Sequence, residues 1–211
     1  MMRKLGAGLM ALGLALLLGA VGLFFFNEQE ADRAAAASAE LMPKLSAAIR
    51  EQDTTEPSQA PGRLPVATEP EQPAMKTVQI DGHDYIGCLS IPRLGLELPV
   101  MAQWSDENLK IAPCRFTGTT MEENLVLAAH NYKKHFGPIR RLKPGDQVIF
   151  VDMENTVTVY EVAATDAVAP TAVEEVTAGA YDLALVTCTY GGNTRLVVYC
   201  DVCENEQGSG S

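Results

Sequence analysis

Leu183-Ala184-Leu185-Val186-Thr187-Cys188, then Thr189-Tyr190-Gly191-Gly192-Asn193-Thr194, then Arg195-Leu196-Val197-Val198-Tyr199-Cys200-Asp201-Val202, is the stretch that decides how this chain is read. Two apolar, β-branched runs separated by a short polar turn with paired glycines form the pattern of a β-hairpin. In that pairing Cys188 closes one strand and Arg195 opens the next, so thiol and guanidinium face one another at one rim. A neighbouring guanidinium favours thiolate and leaves a fixed cation where an oxyanion could form. Taken alone, the pair reads equally well as a buried cysteine beside a surface arginine.

The same texture extends upstream. Residues 77–80, 85–91, 94–100, 125–129, 147–151 and 156–163 are short β-branched or apolar runs, punctuated by turns such as Asp81-Gly82 and Lys143-Pro144-Gly145-Asp146. With 183–187 and 195–202 they predict eight short strands over residues 76–204, and helix is expected only at 108–114 and 171–176. The fold class expected is mainly β, a closed barrel, because closure leaves no exposed strand edge on a small secreted domain.

Ahead of the barrel the chain changes character twice. Residues 5–26 are drawn only from Leu, Gly, Ala, Met, Val and Phe, preceded by Arg3 and Lys4 and followed by Glu28, Glu30 and Asp32. At about 1.5 Å per residue such a run crosses a hydrocarbon core of about 30 Å, and the flanking charges hold the N-terminus inside. Its length favours an uncleaved anchor over a cleaved signal. The expected organisation is a cytoplasmic tip and transmembrane anchor over 1–27, an extracellular stalk over 28–75, the barrel over 76–204 and a disordered tail over 205–211. The stalk begins as helix, with Pro43 expected to kink it. It then becomes a disordered spacer carrying Pro57, Pro61, Pro65, Pro70 and Pro73.

The formal charge of −11 comes from 16 Lys+Arg against 27 Asp+Glu. It excludes nucleic acid as a partner, since binding to that polyanion needs excess Lys and Arg. The charge divides as +2 in the anchor, −5 over residues 27–75 and −8 over 76–211. Lys133, Lys134, Arg140, Arg141 and Lys143 cluster after His130 and read as a solvated loop, with anionic cell-wall or lipid material as the alternative partner.

Of the five cysteines, Cys88 and Cys200 fall inside apolar strands and read as small buried hydrophobes. Cys200 and Cys203 are three apart in a strand, which points them to opposite faces and disfavours a local disulfide. No Cys/His spacing suits zinc. Glu122-Glu123 and Glu174-Glu175 read as solvated loop charge rather than calcium ligands, so no cofactor and no metal is expected. His130 ends the strand-like Asn124-Leu125-Val126-Leu127-Ala128-Ala129, whereas His83 and His135 read as exposed loop residues. A Cys and a His at strand ends, with an Arg beside the Cys, is the inventory for a thiol nucleophile, its acid/base partner and an oxyanion stabiliser. The rival readings are a membrane-tethered β-barrel binding or adhesion module with a structural Cys188, and a metal-dependent hydrolase, which the scattered ligands disfavour.

Leu185-Val186-Thr187-Cys188 with Arg195-Leu196-Val197-Val198 resembles the Leu-x-Thr-Cys and downstream Arg signature of the sortases, membrane-anchored cysteine transpeptidases of Gram-positive bacteria. Residues 86–94 and 96–100 resemble the paired opening strands of that fold. Leu127-Ala128-Ala129-His130-Asn131 is similar to its catalytic His stretch, and 142–148 to the turn that follows. The resemblance spans residues 75–203 and implies an eight-stranded barrel, with Cys188 as nucleophile, His130 as acid/base, Arg195 stabilising substrate and oxyanion, and Thr187 contributing to the substrate groove. It further implies that secreted proteins bearing a C-terminal sorting motif are cleaved through a thioacyl enzyme. The acceptor would be a cell-wall precursor amine or a pilin lysine, with water a slower one. Nothing before Ile86 has the aromatic lid motif of pilus-polymerising members, which points to an anchoring form. Free thiols and imidazoles titrate near about 8.5 and 6.5, so only a small fraction of such a pair is thiolate with imidazolium at neutral pH, and a bell-shaped rate profile is expected.

Overall fold

A computed structural model describes residues 2–52, 75–189 and 192–203. The side chains of residues 2–9, 11, 24, 27, 30 and 52 are outside that description. The Pro-rich spacer expected over 51–74, apart from its first two residues, also lies outside the described residues, as do the tail beyond Cys203 and Tyr190-Gly191 of the hairpin turn.

Nine strands follow one long helix: β1 (Val78–Ile80), β2 (His83–Ile91), β3 (Leu96–Met101), β4 (Cys114–Thr117), β5 (Leu125–Ala128), β6 (Gln147–Asp152), β7 (Val157–Val168), β8 (Leu183–Cys188) and β9 (Arg195–Val202). They are ordered β1-β2-β3-β4-β5-β8-β9-β7-β6, and β2 also pairs with β6. That last pairing closes β2 to β9 into the expected barrel of eight strands and leaves β1 as a short arm on β2. The ninth element that the sequence did not announce is β4. Residues 108–114 were expected to be helical, but only Asn108–Lys110 forms a turn of 3-10 helix and Cys114 already begins the strand. Ala112, Pro113 and Cys114 are buried in succession before half-buried Arg115 and exposed Phe116, so the run is too short to show a strand period.

Alternation sets what faces inward. Leu183, Leu185, Val198 and Cys200 join Leu89, Leu125, Leu127, Phe150 and Tyr160 inside the barrel. The intervening Ala184, Val197 and Tyr199 form a second cluster on the outer face with Val126, Val168 and Val176. The segment between β7 and β8, with its short helix α2 (Val173–Thr177), covers that face. Cover on both sides explains why β8 and β9 read as almost unbroken apolar runs.

The helix α1 (Met2–Gln52) continues through Pro43. Its second half is helical and packs on the barrel. Ala34, Ser38, Leu41, Leu45 and Ile49 recur at helical spacing and are all buried. Leu41, Leu45 and Ile49 pack with Tyr85, Met101, Leu109 and Met153 on the barrel wall. The lost hydrogen bond at a mid-helix proline is tolerated because the docked face fixes both halves. In the first half Leu12, Leu14, Leu16, Leu17, Leu18, Leu23, Phe25 and Phe26 are exposed. Among the described residues no helix is long and apolar enough to cross a membrane, so the span expected over 5–26 is not found there.

Candidate active site

Cys188 and Arg195 are register partners across the antiparallel β8–β9 pair, which puts both side chains on the same, outer face. On the other side β5 runs parallel to β8, with Ala128 opposite Val186. The pairing persists past the end of β5: the Ala129 amide donates to the Val186 carbonyl at 3.1 Å. The Thr187 hydroxyl donates to the Ala129 carbonyl at 2.8 Å. Continuing that register two residue pairs past Ala128 and Val186 sets His130 beside Cys188. The structure therefore brings His130, Cys188 and Arg195 to the same ends of three neighbouring strands, all three half-buried.

Thr187 sits differently from the other three. It is 3 % exposed, on the barrel side of β8, and lies behind the groove rather than along it. The outward neighbour that lines the groove is Val186. Arg195 holds its Nη1 on the carbonyls of Gly192 at 3.2 Å and Thr194 at 3.4 Å. The base of that hairpin loop is pinned by Thr189, whose amide and hydroxyl both donate to the Thr194 carbonyl at 3.1 Å.

The loop after His130 folds back on itself. The Phe136 amide donates to the His130 carbonyl at 3.2 Å, and the Tyr132 carbonyl accepts from His135 and Gly137. The His130 ring lies 4.8 Å, centroid to centroid, from Tyr132, which lies 5.7 Å from His135. His135, expected to be exposed, is completely buried. Its Nε2 is 3.4 Å from Ser38 Oγ of α1, so the docked helix covers the loop that carries His130. Lys133 of the expected solvated basic cluster pairs with Glu28 of α1, while Lys134 and Arg141 are exposed.

Burial separates the thiols. It pushes Cys88, Cys114 and Cys200 up to about 12, Cys88 with a further contribution from Glu97 and Cys200 from Asp201. Those three are poor sources of thiolate. Cys188 and Cys203 are half-buried at strand ends, and all five cysteines are free. Among the described residues no group of three or more His, Cys, Asp or Glu converges to hold a metal ion. Glu122 and Glu123 are exposed, as are Glu174 and Glu175.

A groove of about 230 Å³ runs along the outer face to Arg195, with Val126, Ala128, Val186 and Val168 as floor and the segment around α2 as one wall. Trp104 and Phe116 flank it in an edge-to-face pair with centroids 6.0 Å apart. Sequence reasoning passed over both. Phe116 lies on the unannounced β4, and Trp104 follows β3 in a stretch without periodicity. The one available signal was that a large aromatic left 47 % exposed on a small domain tends to mark a binding surface.

Comparison with known proteins bears on the family and the fold. A family model described as the sortase domain matches residues 89–203. Sortase A of Bacillus anthracis is 32 % identical over 126 residues, covering 57 % of this chain and 60 % of that protein, so the chain spans less than two thirds of that relative's length. A crystal structure of sortase C1 from Streptococcus agalactiae superposes with a TM-score of 0.53 at 25 % identity, covering 61 % of this chain and 72 % of that one. Sortase C1 from Streptococcus suis gives 0.51 at 25 %, covering 60 % and 78 %.

Proposed function

This chain belongs to the sortase family, and from that membership we propose that it is a cysteine transpeptidase whose nucleophile is Cys188. The observation that supports the reading is the Cys188–Arg195 register pair at the ends of β8 and β9, beside the end of β5 that leads into His130, with an apolar groove that reaches Arg195. An extended polypeptide in that groove presents a backbone carbonyl to the sulfur. The Cys188 thiolate adds to the carbonyl carbon, and the charge that develops on oxygen faces the Arg195 guanidinium. As the C–N bond breaks, the imidazolium of His130 gives its proton to the leaving amine. An incoming amine then yields a proton to His130, displaces the sulfur and forms a new amide. Thr187 acts as a positioning residue, tying the His130 strand to the Cys188 strand from inside the barrel.

The substrates on this reading are secreted proteins carrying a sorting motif, and the acceptor is a cell-wall precursor amine or a pilin lysine. Residues 5–26 anchor the chain in the membrane with the N-terminus inside, supported by their composition and by the exposed Leu and Phe side chains of α1. The barrel then works outside the cell, with no cofactor.

The test incubates the full chain in detergent with a library of sorting-motif peptides and an amine acceptor, and seeks a thioacyl adduct on Cys188 by mass spectrometry. Adduct in the native protein, none in Cys188→Ala, and adduct without turnover or no adduct in His130→Ala are expected. Folded native protein that forms no adduct with any peptide would leave a tethered binding module in its place.

A further inference from the structure

Away from Arg195 the groove meets a second hollow of about 260 Å³, the two sharing Val126 and Val176 as walls. The second hollow is different in chemistry. Its floor is Ala184 of β8 and Tyr199 of β9, a register pair, and Asp166, Glu175 and Tyr181 stand around it. Tyr181 and Tyr199 are stacked, with centroids 4.7 Å apart and planes at 26°. Tyr199 is only 9 % exposed, yet it lines the hollow, and among the described residues its hydroxyl has no hydrogen-bond partner. Burial, then Glu175, Asp166 and Tyr181, make that phenol harder to ionise. Neither carboxylate is in an ion pair among the described residues.

Two carboxylates without a counter-cation, two stacked ring faces and an idle hydroxyl suit a cationic side chain. The carboxylates neutralise it, the ring faces attract it and the hydroxyl accepts an N–H. An anion or an aliphatic side chain would leave these groups opposed or unused. The distance fits a substrate residue: Ala184 is four strand residues from Cys188, about 13 Å at about 3.3 Å per residue, which an extended peptide spans in about four residues. The direction follows from the chemistry. Once the thioester forms, only the N-terminal half of the substrate stays on the enzyme, so a grip on that half holds the intermediate until the amine arrives.

We propose that this hollow binds the Lys or Arg side chain of the protein substrate four to six residues N-terminal to the carbonyl attacked by Cys188. This rests on the transpeptidase reading above. The preference for a basic upstream residue resides in Asp166, Glu175, Tyr181 and Tyr199.

The experiment has two arms, so that failure of the subsite and failure of the enzyme reading are told apart. In the first, the peptide that gives most adduct is made with Lys, Gln or Glu at the fourth, fifth or sixth residue before the cleaved bond, and turned over by the full chain. Lys should exceed Glu in kcat/KM by roughly fivefold to thirtyfold at one position, chiefly through KM, and the Asp166→Asn/Glu175→Gln double variant should reduce this to within about twofold. In the second, the ring resonances of Tyr181 and Tyr199 are followed while Nα-acetyl-lysine methylamide or its glutamine counterpart is added to the full chain. Shifts with lysine alone, lost in the double variant and weakened in Tyr199→Phe, are expected. Turnover indifferent to charge at all three positions overturns the proposal and leaves the transpeptidase intact. Lysine-specific ring shifts in a chain that turns over no peptide support the cation site and sink the enzyme reading. Neither turnover nor shifts overturns both.

Discussion

Lowering the pH should loosen the seat of α1 through a single imidazole. His135 has no exposed surface and lies between α1 and the loop after His130. From α1 it meets Ser38 and the backbone of Ala34; from its own loop it meets Tyr132, with His130 beyond. The Lys133–Glu28 ion pair joins the same two elements. Burial holds His135 down to about 4 from an ordinary 6.5, opposed in part by the Ala34 backbone, with His130 adding a smaller downward push. In the unfolded chain the imidazole takes its proton near about 6.5. Between that value and about 4 the unfolded state binds more protons than the folded one, so stability present at neutral pH is lost as pH falls through the window. The separation corresponds to about 3 kcal/mol when fully developed, a large share of the stability of an ordinary domain. Urea unfolding followed by fluorescence of Trp104, the only tryptophan, measures this at a series of pH values. His135→Leu has no proton to bind there, so whatever its constant offset, the native protein should lose about 3 kcal/mol relative to it between about pH 7 and about pH 4. Parallel curves for the two proteins would refute the buried neutral imidazole, and with it the docking of α1 on this loop.

Three further outcomes are expected. Thr187→Val leaves the Ala129 carbonyl without its 2.8 Å partner and should cost about 1–3 kcal/mol in denaturant unfolding, with a fall in kcat because the two strand ends are no longer tied. Gly137→Ala would set a Cβ 2.4 Å from the Asn131 carbonyl oxygen and 2.7 Å from that of Tyr132, so the loop must shift; turnover should fall roughly a hundredfold while circular dichroism stays native. Leu45→Ala empties a site with no exposed surface between α1 and the barrel and should cost about 2–5 kcal/mol, read as a lower urea midpoint and earlier proteolysis of the helix.

The sequence was most legible where local pattern and tertiary demand coincide. The eight runs expected as strands each overlap one, because every run had a clear period or sharp turn signals at its ends. β4 escaped because Cys114–Thr117 is four residues long and meets β3 at a single residue pair, Met101 with Cys114, leaving too little sequence to carry a period. In the site, the Cys188 and Arg195 pair was readable because a hairpin makes register a local property. The neighbourhood of His130 rests on a parallel pairing between β5 and β8, whose partners lie 58 positions apart, and no local pattern encodes that. The burial of His135 was illegible for a related reason. Its cover comes from Ser38, 97 positions away, and in a stretch beginning Lys133-Lys134 the local composition argued for water. The stripe from Ala34 to Ile49 could have signalled a docked helix, but alanine-rich helix formers masked how few of its positions are polar.

Thr187 faces the inside of the barrel and Cys188 the outside, on consecutive residues of a strand paired on both flanks. Gain or loss of a single residue anywhere within β8 would therefore exchange them, sending a hydroxyl to the groove and a thiol to the core while the overall barrel persisted. Lengthening between Thr189 and Thr194 carries no such penalty, since the Thr189–Thr194 bonds close the loop beneath any insertion. Length variation among descendants of this chain should accordingly collect in that loop and be absent from the strand, and a designer who wishes to reshape what the barrel accepts has the loop's length free to alter and the strand's length fixed.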